Sequence, residues 1–283
     1  MLKNLLACPK DSKAPFSKYI ACVHSVASKH KLSSLFAAHI ESGKLLVSRG
    51  DNLGAITQSD IVILGVDPSA VETTLEQDGI VDALQGKLLI SVVAGWSRQS
   101  LEYLVSANRY GDRRLTWVLR TLPNICAQVA QSLTAIEDPA PNFPPEYMQV
   151  ADAIFSQLGQ AVHVAPRLMD ATTAVAGSTP AFWAVMCDAL IDAGVAVGLP
   201  RAMAQAQIYQ SMRGTADMLL SGVHPGLLKD QGTSPEGCTI GGLMVLEEAG
   251  LRGHLGRALR EAVTIARLMT GEERGLHVND TRQ

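Results

Sequence analysis

Two short runs constrain the fold more than anything else in the chain: DIVILGV (60–66) and KLLISVVAG (87–95). Each is continuously apolar, too short for a buried helix, and ends in small residues. Strands of this kind are buried on both faces, which requires a mostly parallel sheet with helices packed on either side. Further strand candidates are YIACV (19–23), KLLVS (44–48), LTWVLRTLP (115–123) and AVHVA (161–165), with helical segments between them. This alternation predicts β-α units up to about residue 164. The four prolines of EDPAPNFPPEYM (137–148) predict a loop before the last helix and strand.

After Pro166 the texture changes to long helical stretches rich in Ala, Leu and Met, with no convincing strand before Met269. The expected division is therefore an α/β domain over 1–166 and a helical domain over 167–283. Thr179 before Pro180 opens the first long helix, and Gly198 with Pro200 closes it. Small residues lie on more than one face of that helix, among them Ala181, Ala184, Ala189, Ala193 and Gly194. A helix apolar all round needs burial on several sides, so subunit association is expected. The tail GEERGLHVNDTRQ is polar and without period.

The chain has 283 residues, 47% of them hydrophobic, enough for a substantial core. Its formal net charge of −3 gives no basic excess for a phosphate backbone, so nucleic acid is not an expected partner. The apolar run in MLKNLLACPK is too short for a signal-peptide core or a membrane span, which leads to a soluble, cytoplasmic reading with no membrane partner. The five cysteines are scattered and contain no C-x-x-C pair, and the histidines show no ligand spacing, so neither a disulfide framework nor a metal site is expected.

In an open parallel sheet, ligands bind beyond the C-terminal strand ends. The residues there are His24 and Ser25, Asn52, Asp67 and Pro68, Ala94 and Gly95, and Pro123 and Asn124. Ala94 and Gly95 either admit a flat ring or a pyrophosphate close to the backbone or simply end a strand. Ser25, Lys29 and Lys31 either meet a 2′-phosphate or form a solvated face. No G-x-G triplet occurs anywhere, and the start of the chain reads as the tail of a helix rather than a strand and tight turn. In TSPEGCTIGG (233–242) a turn runs into a helix, and Thr239 is either a reacting-atom donor or part of a helix cap.

The blocks SDIVILGVDP (59–68), GKLLISVVAG (86–95), VLRTLPN (118–124), VAGSTPAFWAVMCDALIDAGVAVGLPR (175–201) and HPGLLKDQGTSPEGCTIGGLMVLEEAGLR (224–252) resemble pyrroline-5-carboxylate reductases, the last block most specifically. The resemblance implies a Rossmann-like domain followed by a helical dimerisation and substrate domain, with dimers that assemble further, in this family often to decamers. It implies NADPH at Ser25, Asn52, Val66, Asp67, Pro68, Ala94, Gly95 and Asn124. A cyclic imino acid falls at Gln231, Gly237, Cys238 and Thr239, with Thr239 as the catalytic hydrogen-bond donor. The implied reaction reduces (S)-1-pyrroline-5-carboxylate, or a related imine of specialised metabolism, to proline or an analogue.

The chain departs from the family's pattern in several places. The first strand and its G-x-G-x-x-G turn have no counterpart, Asp67 stands where lysine is usual, Pro166 replaces a glutamate, Thr179 a glycine, and Glu236 the first glycine of an S-P-G-G turn. An inactive homologue serving as an oligomeric interaction module is the alternative, and a chain lacking its first strand is a third reading.

Overall fold

The computed structural model describes residues 1–7, 16–106 and 116–270; Cys8, Leu115 and the polar tail from Gly271 lie outside the described residues. Two compact units are present. One comprises residues 1–177 with the end of the last helix from Val263, the other residues 178–262. The division falls later than the expected 166/167, because the segment after Pro166 still packs on the sheet unit: Met169 and Ala174 are buried there.

The sheet unit contains β1 (Tyr19–Val23), β2 (Leu45–Arg49), β3 (Ile61–Leu64), β4 (Leu88–Ser91), β5 (Trp117–Leu122), β6 (Ser132–Glu137) and β7 (Gly159–Val164). Its helices are α1 (Leu2–Leu6), α2 (Val26–Leu35), α3 (Ala37–Glu41), α4 (Asn52–Thr57), α5 (Val71–Leu75), α6 (Ile80–Leu84), α7 (Arg98–Val105), α8 (Pro145–Ser156) and α9 (Met169–Thr172). As the apolar runs require, β4 is buried along its whole length and forms the centre. Alternate residues of β3, β4 and β5 feed two cores: Ile61, Ile63, Leu88, Ile90 and Leu119 on one face, Val62, Leu64, Leu89 and Val118 on the other. α8 adds Ala151, Ile154 and Phe155, spaced as one helical stripe.

Three findings differ from the sequence reading. Strand β6 was not anticipated, and it pairs antiparallel with β5 while running parallel to β7. Its sequence SLTAIE does not read as a buried strand, because Ser132, Thr134 and Glu137 are polar, yet all three are buried. Hydrogen bonding and ion pairing make that burial tolerable. Helix α8 begins at Pro145, inside the stretch expected as loop, because a proline suits the first helical turn. The strands also do not form one sheet: β1 and β2 pair in parallel with each other, and β3-β4-β5-β6-β7 form a separate five-stranded sheet.

A buried ion network ties α7, β5, β6 and α9 together. Arg98 Nε donates to Glu137 Oε1 at 2.9 Å, Arg120 lies 3.6 Å from the other Glu137 oxygen, and Arg120 Nη2 donates to Asp170 at 2.9 Å. Burial pulls the Arg98 pKa down, but the bonds and charges of Glu137 and Glu102 outweigh it and raise it above the ordinary arginine value.

The helical unit contains α10 (Thr179–Ala196), α11 (Arg201–Leu220), α12 (Pro225–Gln231), α13 (Cys238–Glu248) and the start of α14 (Leu251–Thr270). Gly198 at φ 102° ends the turn after α10, and a Cβ on Gly194 would sit 3.1 Å from the Ala204 methyl, so a glycine there lets α10 and α11 approach closely. The unit buries little within the chain. In α10 only Cys187 and Ile191 are buried and in α13 nothing is, while Val185 and Leu220 are 71% and 77% exposed.

Candidate active site

The residues singled out at strand ends lie in the sheet unit. Ser25 caps α2, its side chain accepting from the Ser28 N–H at 3.0 Å. Asn52, the first residue of α4, accepts a bond from the Cys22 thiol (3.2 Å) and donates to Gln77 (3.1 Å), so its amide is oriented from both sides. Val66 to Pro68 follow β3, and Ala94 and Gly95 follow β4. Trp96 Nε1 donates to Pro68 O at 2.9 Å and fastens these two loops together. Sequence reasoning did not find Trp96 or Gln77; each acts through a partner distant in the chain.

Gly95 has φ 79°, a conformation that favours glycine, and a Cβ there would come within 3.2 Å of Met269. Asp67 does not extend as a free anion. Its carboxylate accepts from both Oγ (2.6 Å) and N–H (3.0 Å) of Ser69, and these bonds hold its pKa below the ordinary carboxylate value. Asn124, after β5, is engaged in the turn: its side chain accepts from Cys126 N–H and donates to Ala176 O at 2.8 Å. Ala176 belongs to a π-helical turn, Thr173–Ser178, that ends the sheet unit. Asn124 thereby braces that turn.

All of these positions follow the C-terminal ends of strands β1 to β5, the side on which open parallel sheets bind ligands. Small residues at Ala94 and Gly95 suit a flat ring, and the oriented Asn52 amide and exposed Ser25 suit a ribose or phosphate. Among the described residues, no G-x-G turn follows any of these strands.

Gln231, Gly237, Cys238 and Thr239 lie in the helical unit. Gln231 ends α12 and is exposed, and the turn that follows leads into α13. Gly237 N–H donates to Ser234 O at 3.0 Å, so it is not free for a ligand. Its role is spatial: a Cβ would lie 2.5 Å from Ser234 Oγ and 3.0 Å from Ser234 O. Gly237 is itself the N-cap of α13 and carries no side-chain cap, and Thr239 is the second helical residue. The cap alternative for Thr239 therefore falls away. The main-chain N–H groups of Cys238 and Thr239 begin the helix without intrahelical partners, beside an exposed hydroxyl. Glu236 adopts φ 60°, unusual for a residue with a side chain, and is exposed.

Residues 166–269 match the family model for pyrroline-5-carboxylate reductase dimerisation, and residues 13–95 match that of NADP oxidoreductase, coenzyme F420-dependent. The chain is 42% identical over 274 residues to a pyrroline-5-carboxylate reductase of Lophium arboricola, covering 96% of this chain and 84% of that one. The Neurospora crassa protein of the same name is 37% identical over 279 residues, covering 93% and 83%. Among solved structures, the Plasmodium falciparum pyrroline carboxylate reductase with NADP bound aligns at a TM-score of 0.74 and 22% identity, covering 89% of this chain and 99% of that one.

Proposed function

The chain belongs to the pyrroline-5-carboxylate reductase family, and on that premise we propose that it is an NADPH-dependent oxidoreductase acting on a C=N bond, reducing (S)-1-pyrroline-5-carboxylate to proline. A closely related cyclic imino acid, reduced to a proline analogue, is the finer variant of the same reading. The observation that carries it is the start of α13: an uncapped helix N-terminus with two free amides next to the Thr239 hydroxyl, within a segment matching the family.

NADPH, when bound, supplies the hydride. The chain's own residues bind, orient and donate. The free N–H groups of Cys238 and Thr239, at the positive end of α13, suit the substrate carboxylate. Thr239 Oγ1 then donates a hydrogen bond to the ring nitrogen, which ends protonated, while the imine carbon accepts the hydride. No strong base is required: the step adds a hydride to the carbon and a proton to the nitrogen, and that proton comes from solvent by way of the exposed Thr239 hydroxyl. Fixing the ring by its carboxylate lowers the entropic cost of reaching the transition state. In the sheet unit, Asn52 and the loops joined by Trp96 are the candidate cofactor contacts, while the space a side chain on Gly95 would need is taken by Met269.

Exposed apolar side chains on α10, α11 and α13 support self-association through the helical unit, at least to a homodimer. The stretch Pro166–Ala196 is also long and apolar enough, by composition, to cross a membrane; the family match favours a subunit interface for it. The four described cysteines are free thiols, in keeping with a cytoplasmic setting.

The test is oxidation of NADPH by the purified chain with pyrroline-5-carboxylate, beside a cofactor titration. Saturable turnover is expected, and Thr239→Ala should lower kcat by about a hundredfold, the cost of losing one preorganised donor. Absence of NADPH binding at about millimolar concentration, a threshold of only about 4 kcal/mol, refutes activity of this chain.

A further inference from the structure

The helix caps at Ser25, Asp51, Asp67, Ser97 and Asn124 all accept through a side-chain oxygen. At the start of α12 the cap is an imidazole instead. His224 has extended backbone angles, φ −66° and ψ 135°, and its Nδ1 accepts from the Gly226 N–H at 3.1 Å. For Nδ1 to accept, the proton of the neutral ring must sit on Nε2. Pro225 at the first helical position has no N–H to satisfy, so Gly226 carries the first open donor of the helix. The ring seats directly over it: a Cβ on Gly226 would lie 3.2 Å from Nδ1.

Helix α12 depends on that cap more than a longer helix would. It has seven residues, none of them buried, and Leu227 is 58% exposed. A helix so short is marginal in water by itself, and packing within the chain adds little to it. What α12 carries follows directly in sequence. His224 O accepts from the Leu228 N–H (3.0 Å), Leu228 O from the Gly232 N–H (3.1 Å), and Asp230 O from both the N–H (3.2 Å) and the Oγ1 (2.8 Å) of Thr233. Ser234 O then takes the Gly237 N–H at 3.0 Å. The bonds run in series from the imidazole, past Gln231 and through the turn, to the N-cap of α13.

The geometry points to His224 as a positioning residue for the imine: by keeping α12 wound, it holds Gln231 and the 232–237 turn in place ahead of Thr239. This rests on the reading that puts the imine at the start of α13. The ring acts through the helix and not on the substrate, since its Nδ1 is spent on the Gly226 amide. The cap biases two states of α12, one wound and one frayed. Only the wound state is competent, so losing the cap lowers the competent fraction and weakens apparent imine binding by the same factor. A bound imine rewinds the helix, which leaves the saturated rate unchanged. NADPH is indifferent to the change, because its candidate contacts belong to the sheet unit.

His224→Ala should raise the imine KM about fivefold, the factor that corresponds to a cap of about 1 kcal/mol, with kcat and the NADPH dissociation constant nearly unchanged. His224→Asn, which keeps a neutral cap acceptor, should return KM to the wild-type value. Hydrogen exchange reads the cap without turnover: the Leu228 and Gly232 amides should exchange about fivefold faster in His224→Ala and at the wild-type rate in His224→Asn. Unchanged exchange in His224→Ala overturns the proposal, and so does a KM that His224→Asn fails to restore. A fall in kcat in place of the rise in KM would make the ring a direct participant, and faster exchange with an unmoved KM would leave a cap that positions nothing; either result overturns it as well. Thr239→Ala separates this role from the substrate site itself. Wild-type turnover in that variant refutes the imine placement, whereas a slowed Thr239→Ala beside a His224→Ala of wild-type KM refutes only the positioning role.

Discussion

Glu137→Gln isolates the charge at the centre of the ion network while keeping side-chain volume. Glu137 is 1% exposed and Arg120 5%, so the site is close to interior. With an effective dielectric constant of about 20, contacts of 2.9 and 3.6 Å correspond to gross attractions of about 6 and 5 kcal/mol. Most of that is cancelled by the cost of taking the ions out of water, several kcal/mol each. The mutation removes the attraction but leaves both guanidiniums desolvated, so the net loss should be about 3 kcal/mol. Urea unfolding followed by the fluorescence of Trp117, which stacks edge-on against Phe143 in the same unit, would read it in a background with Trp96 and Trp183 replaced by Phe. The half-exposed partner of the same arginine provides the contrast: Glu102→Gln should cost less than about 1 kcal/mol. A Glu137→Gln loss as small as that of Glu102→Gln would refute the view that burial, rather than ion pairing as such, sets the magnitude.

Three further outcomes follow from named contacts. Gly237→Ala brings a Cβ within 3.0 Å of a carbonyl that cannot rotate away, so the turn must shift; kcat/KM should fall at least about tenfold with little change in melting temperature, measured side by side. Trp96→Phe removes the bond to Pro68 O and keeps the ring, and should weaken NADPH binding by up to about tenfold, with kcat nearly unchanged, in fluorescence titration and steady-state kinetics. Because the Asp67 carboxyl is held below its ordinary pKa, its contribution is present above the usual carboxylate range and fades as pH falls through the lowered value; Asp67→Asn should flatten the acid limb of thermal stability below about pH 4.

The central strands were legible because burial on both faces leaves a continuous apolar run, as in β4. Strand β6 was not, because its buried polar groups are satisfied by partners elsewhere in the sequence: Glu137 by Arg98 and Arg120, Ser132 by the Asn124 N–H. The absence of a glycine turn could be read directly, but the division into two sheets is a matter of pairing, which a local pattern does not encode. Thr239 stood out only through family resemblance. Residue by residue it looked like a cap, and the geometry of Gly237 was needed to remove that alternative. Asp67 looked like a misplaced charge until Ser69 gave it two donors.

The sparse burial within the helical unit has a further consequence. If α10, α11 and α13 find their apolar partners mainly on a second copy, the free energy that holds the unit together contains a concentration term, and dilution acts on it as a denaturant does. A cell making little of this protein would then lose it faster than in proportion, since lone chains expose Val185, Leu220 and their neighbours to chaperones and proteases. Abundance itself would govern the lifetime of each molecule.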